Sequence, residues 1–216
     1  MRQISRLSVI AVSTALLITL SSCSSTQSTL EADDQPSTPI ENREMTSDVQ
    51  ENKANGDSPQ GSVTDAANFE ITENEDDTVT ISRYIGSETD IVIPSQIDGK
   101  TVSAIGNVMG TTGAFEGCTS ITAVVIPDGV TEIQDNAFYG CTSLETVTIP
   151  SSVTLLRNCA FCDCPNLRAI YFKGDAPQQA NYVFDSTENV TMYYQDGTSG
   201  WENPWHGRPT EVYIPE

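Results

Sequence analysis

Ala137-Phe138-Tyr139-Gly140-Cys141-Thr142-Ser143-Leu144 is followed at once by Glu145-Thr146-Val147-Thr148-Ile149-Pro150, and this stretch decides the fold. The same order of residues stands 23 positions earlier, as Ala114-Phe115-Glu116-Gly117-Cys118-Thr119-Ser120-Ile121 with Val124-Val125-Ile126-Pro127. It stands again 23 positions later, as Ala160-Phe161-Cys162-Asp163-Cys164-Pro165-Asn166-Leu167 with Ile170-Tyr171-Phe172-Lys173. Val183-Phe184 begins an eroded further copy. Upstream, Ile91-Val92-Ile93-Pro94 through Val102, Ile105 and Ala114-Phe115 forms a copy stretched by ten residues. The extra residues fall in two insertions, one holding Asp98-Gly99 and the other Gly110 and Gly113. Asp-Gly is a two-residue signal for a type I′ hairpin turn.

A fixed period of this size means one small unit per repeat, stacked so that neighbours bury each other's apolar face. Leu144, Val147 and Ile149 keep the L-x-x-L-x-L spacing and point inward; Thr148 and the pair Glu145-Thr146 face out. Pro150 ends the strand because it has no N–H to donate. Val153 and Leu156 start the return path, and Ala160-Phe161 tucks a ring under the turn. The expected fold is a β-rich leucine-rich-repeat solenoid of ~23-residue repeats. Its parallel sheet occupies one face, with short turns or helical turns on the other. A solenoid exposes apolar ends that need covering. Phe69-Glu70-Ile71 and Val79-Thr80-Ile81, around the polar turn Asn74-Glu75-Asp76-Asp77, read as a hairpin cap. Met192-Tyr193-Tyr194 with Trp201 and Trp205 read as an aromatic cap at the other end.

The consensus A-F-x-x-C-x-x-L-x-x-V-x-I-P resembles the BspA-like (Treponema pallidum-type) leucine-rich-repeat surface proteins of bacteria. The resemblance implies a binding or adhesion module that grips a host or neighbouring-cell protein through its sheet face, without enzymatic activity. The copy here is short, with about two full repeats beside the stretched and eroded ones.

The first residues form a separate unit. Arg2 and Arg6 precede an apolar run from Leu7 to Leu20, a charged and then hydrophobic pattern of signal-peptide length, too short to span a bilayer comfortably. Leu20-Ser21-Ser22-Cys23 resembles the bacterial lipobox, which implies cleavage after residue 22 and lipidation of Cys23. Acyl chains contribute about 0.8 kcal/mol of membrane affinity per buried CH₂, so two or three anchor firmly. Residues 23–67 are rich in Ser, Thr, Asp, Glu and Pro, with isolated apolar residues, and cannot bury enough surface to offset ordering entropy. They read as an acidic tether with a reach of roughly 35–40 Å. The domains expected are therefore 1–22 signal peptide, 23–67 lipidated cysteine and tether, and 68–216 repeats with caps. The location expected is the extracellular face of a bacterial envelope, with the membrane as partner through the lipid.

The formal net charge of −20 leaves no basic patch, which argues against nucleic acid. An envelope lipoprotein that recognises glycan, or serves a structural display role, is the alternative to protein binding. The acidic balance weighs against anionic glycans.

Chemistry-bearing residues are few. Cys118, Cys141 and Cys164 share one repeat position and stack as a column roughly 5 Å apart. They read as small apolar residues, with a Cys159–Cys162 or rung-to-rung disulfide as alternatives. No second ligand pair accompanies Cys159, Cys162 and Cys164, so no metal or other cofactor is expected. His206, the single histidine, lacks a partnered nucleophile and reads as a turn residue. Glu73, Glu75, Asp76 and Asp77 lack the spacing of a calcium loop. Asn189-Val190-Thr191 matches a glycosylation acceptor, a match with little meaning in a bacterial lipoprotein. An enzyme would require the insertion at Asn107 to Gly113 to form a pocket with paired carboxylates.

The outward sheet face remains. At 23-residue intervals, one column reads Val125, Thr148, Tyr171 and Tyr194; its neighbours read Thr122, Glu145, Arg168, Thr191 and Ala123, Thr146, Ala169, Met192. Tyrosine and arginine are common at binding hot spots. Arg168, Tyr171, Tyr194, Glu145 and Thr148 are accordingly the expected ligand-binding residues.

Overall fold

The computed structural model describes residues 61–107 and 112–214. The segment read as a signal peptide, Cys23, the stretch to residue 60 read as a tether, and the middle of the Asn107–Gly113 insertion lie outside the described residues.

The described residues form thirteen strands: β1 Phe69–Glu73, β2 Val79–Tyr84, β3 Asp90–Val92, β4 Gln96–Ile97, β5 Lys100–Ile105, β6 Ala123–Val125, β7 Glu132–Ile133, β8 Thr146–Ile149, β9 Leu155–Leu156, β10 Ala169–Phe172, β11 Gln178–Gln179, β12 Thr191–Gln195 and β13 Thr210–Tyr213. They build two sheets between which the chain alternates. One runs β3-β6-β8-β10-β12-β13 and is parallel throughout. The other runs β1-β2-β5-β7-β9-β11. The return path is thus a second, narrow parallel ladder of two-residue strands rather than turns alone. Among the described residues the only helical segment is a three-residue 3₁₀ turn, Ala66–Asn68.

Strand register reproduces the sequence period. Ala123 pairs with Thr146 and Thr146 with Ala169, each 23 apart; Glu132, Leu155 and Gln178 do the same on the narrow sheet. Ile91 pairs with Val124, an offset of 33, so the ten inserted residues leave the stack undisturbed. Asp98 (φ 52°) and Gly99 (φ 79°) both take positive φ in the β4–β5 hairpin, as a type I′ turn requires.

Between the sheets lies a spine of phenylalanine. Phe115, Phe138, Phe161 and Phe184 stack with centroid spacings of 4.9, 5.1 and 5.7 Å and interplanar angles of 13° or less. Such near-parallel stacking follows from the repeat: identical side chains on identical backbone, one rung apart. Tyr84 continues the stack at 5.3 Å, and Phe69 packs against both Tyr84 and Phe115. At this end the β1–β2 hairpin adds to the narrow sheet, with Ile71 opposite Ile81 and a bulge after Glu70. At the other end Trp201 lies against Phe172 (4.7 Å) and Tyr194 (5.1 Å), with Trp205 beside it at 4.8 Å. The packed chain also reaches back into the stretch read as tether. Thr64 is buried, donates its N–H to Val92 O (2.9 Å) and accepts from Val92 N–H (3.2 Å), covering the β3 edge.

The cysteine column has a hydrogen-bonding role that its apolar reading did not include. Cys141 Sγ donates to Phe115 O and Cys164 Sγ to Phe138 O, both at 3.1 Å. In the next rung Thr187 takes the same position and donates Oγ1 to Phe161 O at 2.6 Å. Each side chain thus serves the carbonyl of the phenylalanine one rung back. Burial pushes the Cys164 thiol up to about 12. Cys159 and Cys162 are disulfide-bonded across one turn of the chain.

Candidate functional site

The broad sheet presents alternate residues of β8, β10, β12 and β13 to the outside, and period-two geometry decides which. Val147, Ile149, Ile170, Phe172 and Met192 are buried in the core. Thr146, Tyr171, Tyr193, Gln195, Glu211 and Tyr213 are their outward neighbours, and none is buried.

The register of the last rungs differs from the 23-residue columns. Ile170 pairs with Met192, so Tyr171 lies opposite Tyr193, an offset of 22, and Phe172 opposite Tyr194. Tyr194 therefore turns inward and stacks on Trp201 at an interplanar angle of 7°. Its assignment to the binding face is corrected. The residue missed was Tyr193, and the available signal was Met192, whose apolar side chain belongs in the column of Val147 and Ile170. Tyr213 was missed as well, because β13 carries no repeat motif.

Thr148 is also corrected. It lies on the outward side but is only 3% exposed. In the ladder it stands between Val125, a side chain of its own size, and the larger Tyr171. Glu145 and Arg168 are exposed in one column before their strands, joined by an Arg168 N–H to Glu145 O bond of 3.0 Å.

What the fold brings together is a tyrosine cluster. Tyr171 and Tyr193 stack at 5.1 Å and 20°, while Tyr213 meets Tyr171 edge-on at 5.3 Å and 77°. Gln195 Nε2 donates to Tyr213 Oη at 3.4 Å. Burial raises all three phenols above their ordinary value, and neighbours reinforce this for Tyr171 (Tyr193 and Tyr213) and Tyr193 (Glu211). The hydroxyls therefore stay protonated and able to donate throughout the neutral range. The outcome is a rigid patch of three partly buried rings with Glu211 paired beside Tyr193. Rings held by a parallel ladder lose little conformational freedom when a partner covers them, which suits protein recognition.

The other residues singled out by sequence have structural surroundings. Glu73 and Asp77 converge on Lys100 Nζ at 2.8 and 3.3 Å, and Asp76 binds the Thr78 hydroxyl and N–H, which lowers its carboxyl below the usual range. His206 is exposed and meets Trp205 edge-on at 5.0 Å.

Residues 108–198 match the family model of the BspA type leucine rich repeat region, in six copies. Among solved structures, the chain is similar to the T. pallidum leucine rich repeat protein, at 25% identity and TM-score 0.52, covering 72% of this chain and 84% of that one. It is also similar to a leucine-rich repeat protein of Bacteroides capillosus, at 25% identity and TM-score 0.50, covering 61% of this chain and 99% of that one. A leucine rich cell surface protein of Faecalibacterium prausnitzii is 32% identical with TM-score 0.48, covering 66% of this chain and 38% of that one. Among curated proteins none matches significantly. With its repeats and two-sheet coil, the chain carries a BspA type leucine rich repeat region over residues 108–198 and is similar in fold to bacterial leucine-rich repeat proteins.

Proposed function

We propose that this is a cell-surface protein, held to a membrane by lipid on Cys23, whose repeat domain binds a protein ligand through the tyrosine face of the broad sheet. The observation that carries this reading is the Tyr171–Tyr193–Tyr213 cluster, three rings drawn from three different strands onto one outward surface. The repeat family is consistent with protein-binding or surface roles. Lipid anchoring rests on the sequence around Cys23. The residues that contact the partner are Tyr171, Tyr193, Tyr213 and Arg168, with Glu145 at the rim; adhesion to a host matrix or neighbouring-cell protein is the role that fits them.

The test is an array of extracellular-matrix and cell-surface proteins probed with the full chain and with a Tyr171→Ala, Tyr193→Ala, Tyr213→Ala variant. Saturable binding to one protein, lost in the variant while its circular dichroism is unchanged, supports the proposal. Binding that the variant retains refutes the assignment of the face. Lipidation is tested separately, by the mass of the membrane-extracted protein against a Cys23→Ser variant; equal masses apart from the substitution refute it.

A further inference from the structure

The two sheets end at different rungs. The broad sheet continues through β12 and β13, but the narrow sheet stops at β11. A cavity of about 430 Å³ opens beside Gln179, between the last phenylalanine turn and the Trp205–Arg208 segment. Its lining includes Gln179, Tyr182, Asp185, His206 and Arg208. Small-molecule sites are of this size.

Three features set this cavity apart from the rest of the surface. Gln179 Nε2 and Arg208 Nε are both buried, and neither has a hydrogen-bond partner. A buried donor left unmatched is costly, and two on one cavity mark a place where an acceptor is missing. Arg208 is meanwhile fixed in place, since its Nη2 donates to Phe184 O at 2.9 Å and its backbone bridges to Trp205. Second, Asp185 adds an acceptor, so the lining offers both halves of a hydrogen-bonding pattern. Third, Tyr182 stands at the rim 73% exposed, with φ 63°. The same position in earlier rungs carries Asn136 (φ 57°) and Cys159 (φ 52°). Asparagine tolerates this left-handed backbone; an aromatic residue is strained there, so nothing in the turn itself calls for a ring.

We propose that this cavity is a second binding site, for a neutral sugar unit. Hydroxyls of the sugar donate to Asp185 and accept from the Gln179 amide once it turns into the cavity, while the apolar face of the sugar lies on Tyr182. Hydroxyls both donate and accept, and so match a mixed lining better than an anion does. An anion would meet Asp185 within the cavity and, on approach, the −20 formal charge of the chain. The site is separate from the tyrosine face, and either can fail without the other.

The experiment is ligand-observed NMR on the full chain with glucose, galactose, mannose, N-acetylglucosamine and lactose. Glucuronic acid and triglycine serve as charged and peptide comparators, each probe titrated to ~10 mM because single-sugar affinities are weak. The variants are Tyr182→Asn, which installs the residue used in an earlier rung, and Gln179→Leu, which removes an unmatched donor. Both are expected to keep the melting temperature of the wild type, since one removes a strained ring and the other an unmatched buried donor, and a thermal scan of each checks that folding does not confound the result. The expected outcome is saturable binding of at least one neutral sugar, weakened about tenfold or more in each variant. Three outcomes overturn the proposal: no saturable neutral sugar, tighter binding of glucuronic acid or triglycine, or binding unchanged in both variants.

Discussion

Replacing Phe138 with alanine tests whether the aromatic spine couples the rungs. Phe138 is fully buried and stacked on both faces, at 4.9 Å from Phe115 and 5.1 Å from Phe161. Truncating a buried phenylalanine costs about 3–5 kcal/mol in lost transfer energy and residual cavity. The backbone here is held by ladders on both sides and cannot collapse into the space, which places the cost at the upper end. Each lost ring pair adds about 0.5–1.5 kcal/mol beyond area, partly counted already. The expectation is about 5 kcal/mol. Phe184 has a ring neighbour on one face and is 5% exposed, so Phe184→Ala costs less, about 3 kcal/mol. For a domain of this size the first loss lowers the melting temperature by about 10–20 °C. Thermal and urea unfolding, followed by circular dichroism, read both variants. Because repeat stability is a sum of rungs and the interfaces between them, Phe138→Ala should also broaden or split the transition. A cost below about 2 kcal/mol, or equal costs for the two variants, refutes the reasoning.

Three further outcomes follow from particular contacts. Cys141→Thr keeps a donor for Phe115 O, as Thr187 does for Phe161 O, and should cost under about 1 kcal/mol in urea unfolding; Cys141→Val leaves that carbonyl only its bond from Cys118 N–H and should cost about 0.5–1.5 kcal/mol more than Cys141→Thr. The raised phenols of Tyr171, Tyr193 and Tyr213 contribute stability that is fully present below the ordinary tyrosine value and is lost as pH rises through the folded values. A phenolate absorbance titration should therefore show delayed ionisation in the native protein and falling stability above about pH 10, whereas ionisation at the ordinary value would contradict it. Tyr194→Ala should lower the melting temperature more than Tyr193→Ala, since Tyr194 packs on Trp201 and the core while Tyr193 stands on the surface.

Much of this fold is written in the period. The 23-residue offset places every strand from β6 to β11, the ten-residue surplus leaves β3 and β6 paired, and Asp98-Gly99 gives its turn. These succeed because a repeated backbone forces repeated side chains into register. The narrow sheet was less legible: Glu132–Ile133, Leu155–Leu156 and Gln178–Gln179 are two-residue strands, too short for alternation to show. The reading of the outward sheet face suffered where the period failed. One residue fewer between β10 and β12 moves Tyr194 inward and Tyr193 outward, because a slip of one residue exchanges the two faces of a strand. Thr148 shows a second limit, since side-chain direction is set by the strand but burial depends on the neighbours it stands between. The Gln179 and Arg208 cavity had no motif, for it arises where one sheet outlasts the other.

The most direct test of the central claim is a hydrogen-exchange footprint of the full chain with and without the protein ligand found on the array. Binding through the tyrosine face predicts slowed exchange in 169–172, 191–195 and 210–213, with the turns around Asn136 and Cys159 unchanged. Protection confined to those turns or to the insertion beside Gly113, with the three strands unaffected, would contradict it.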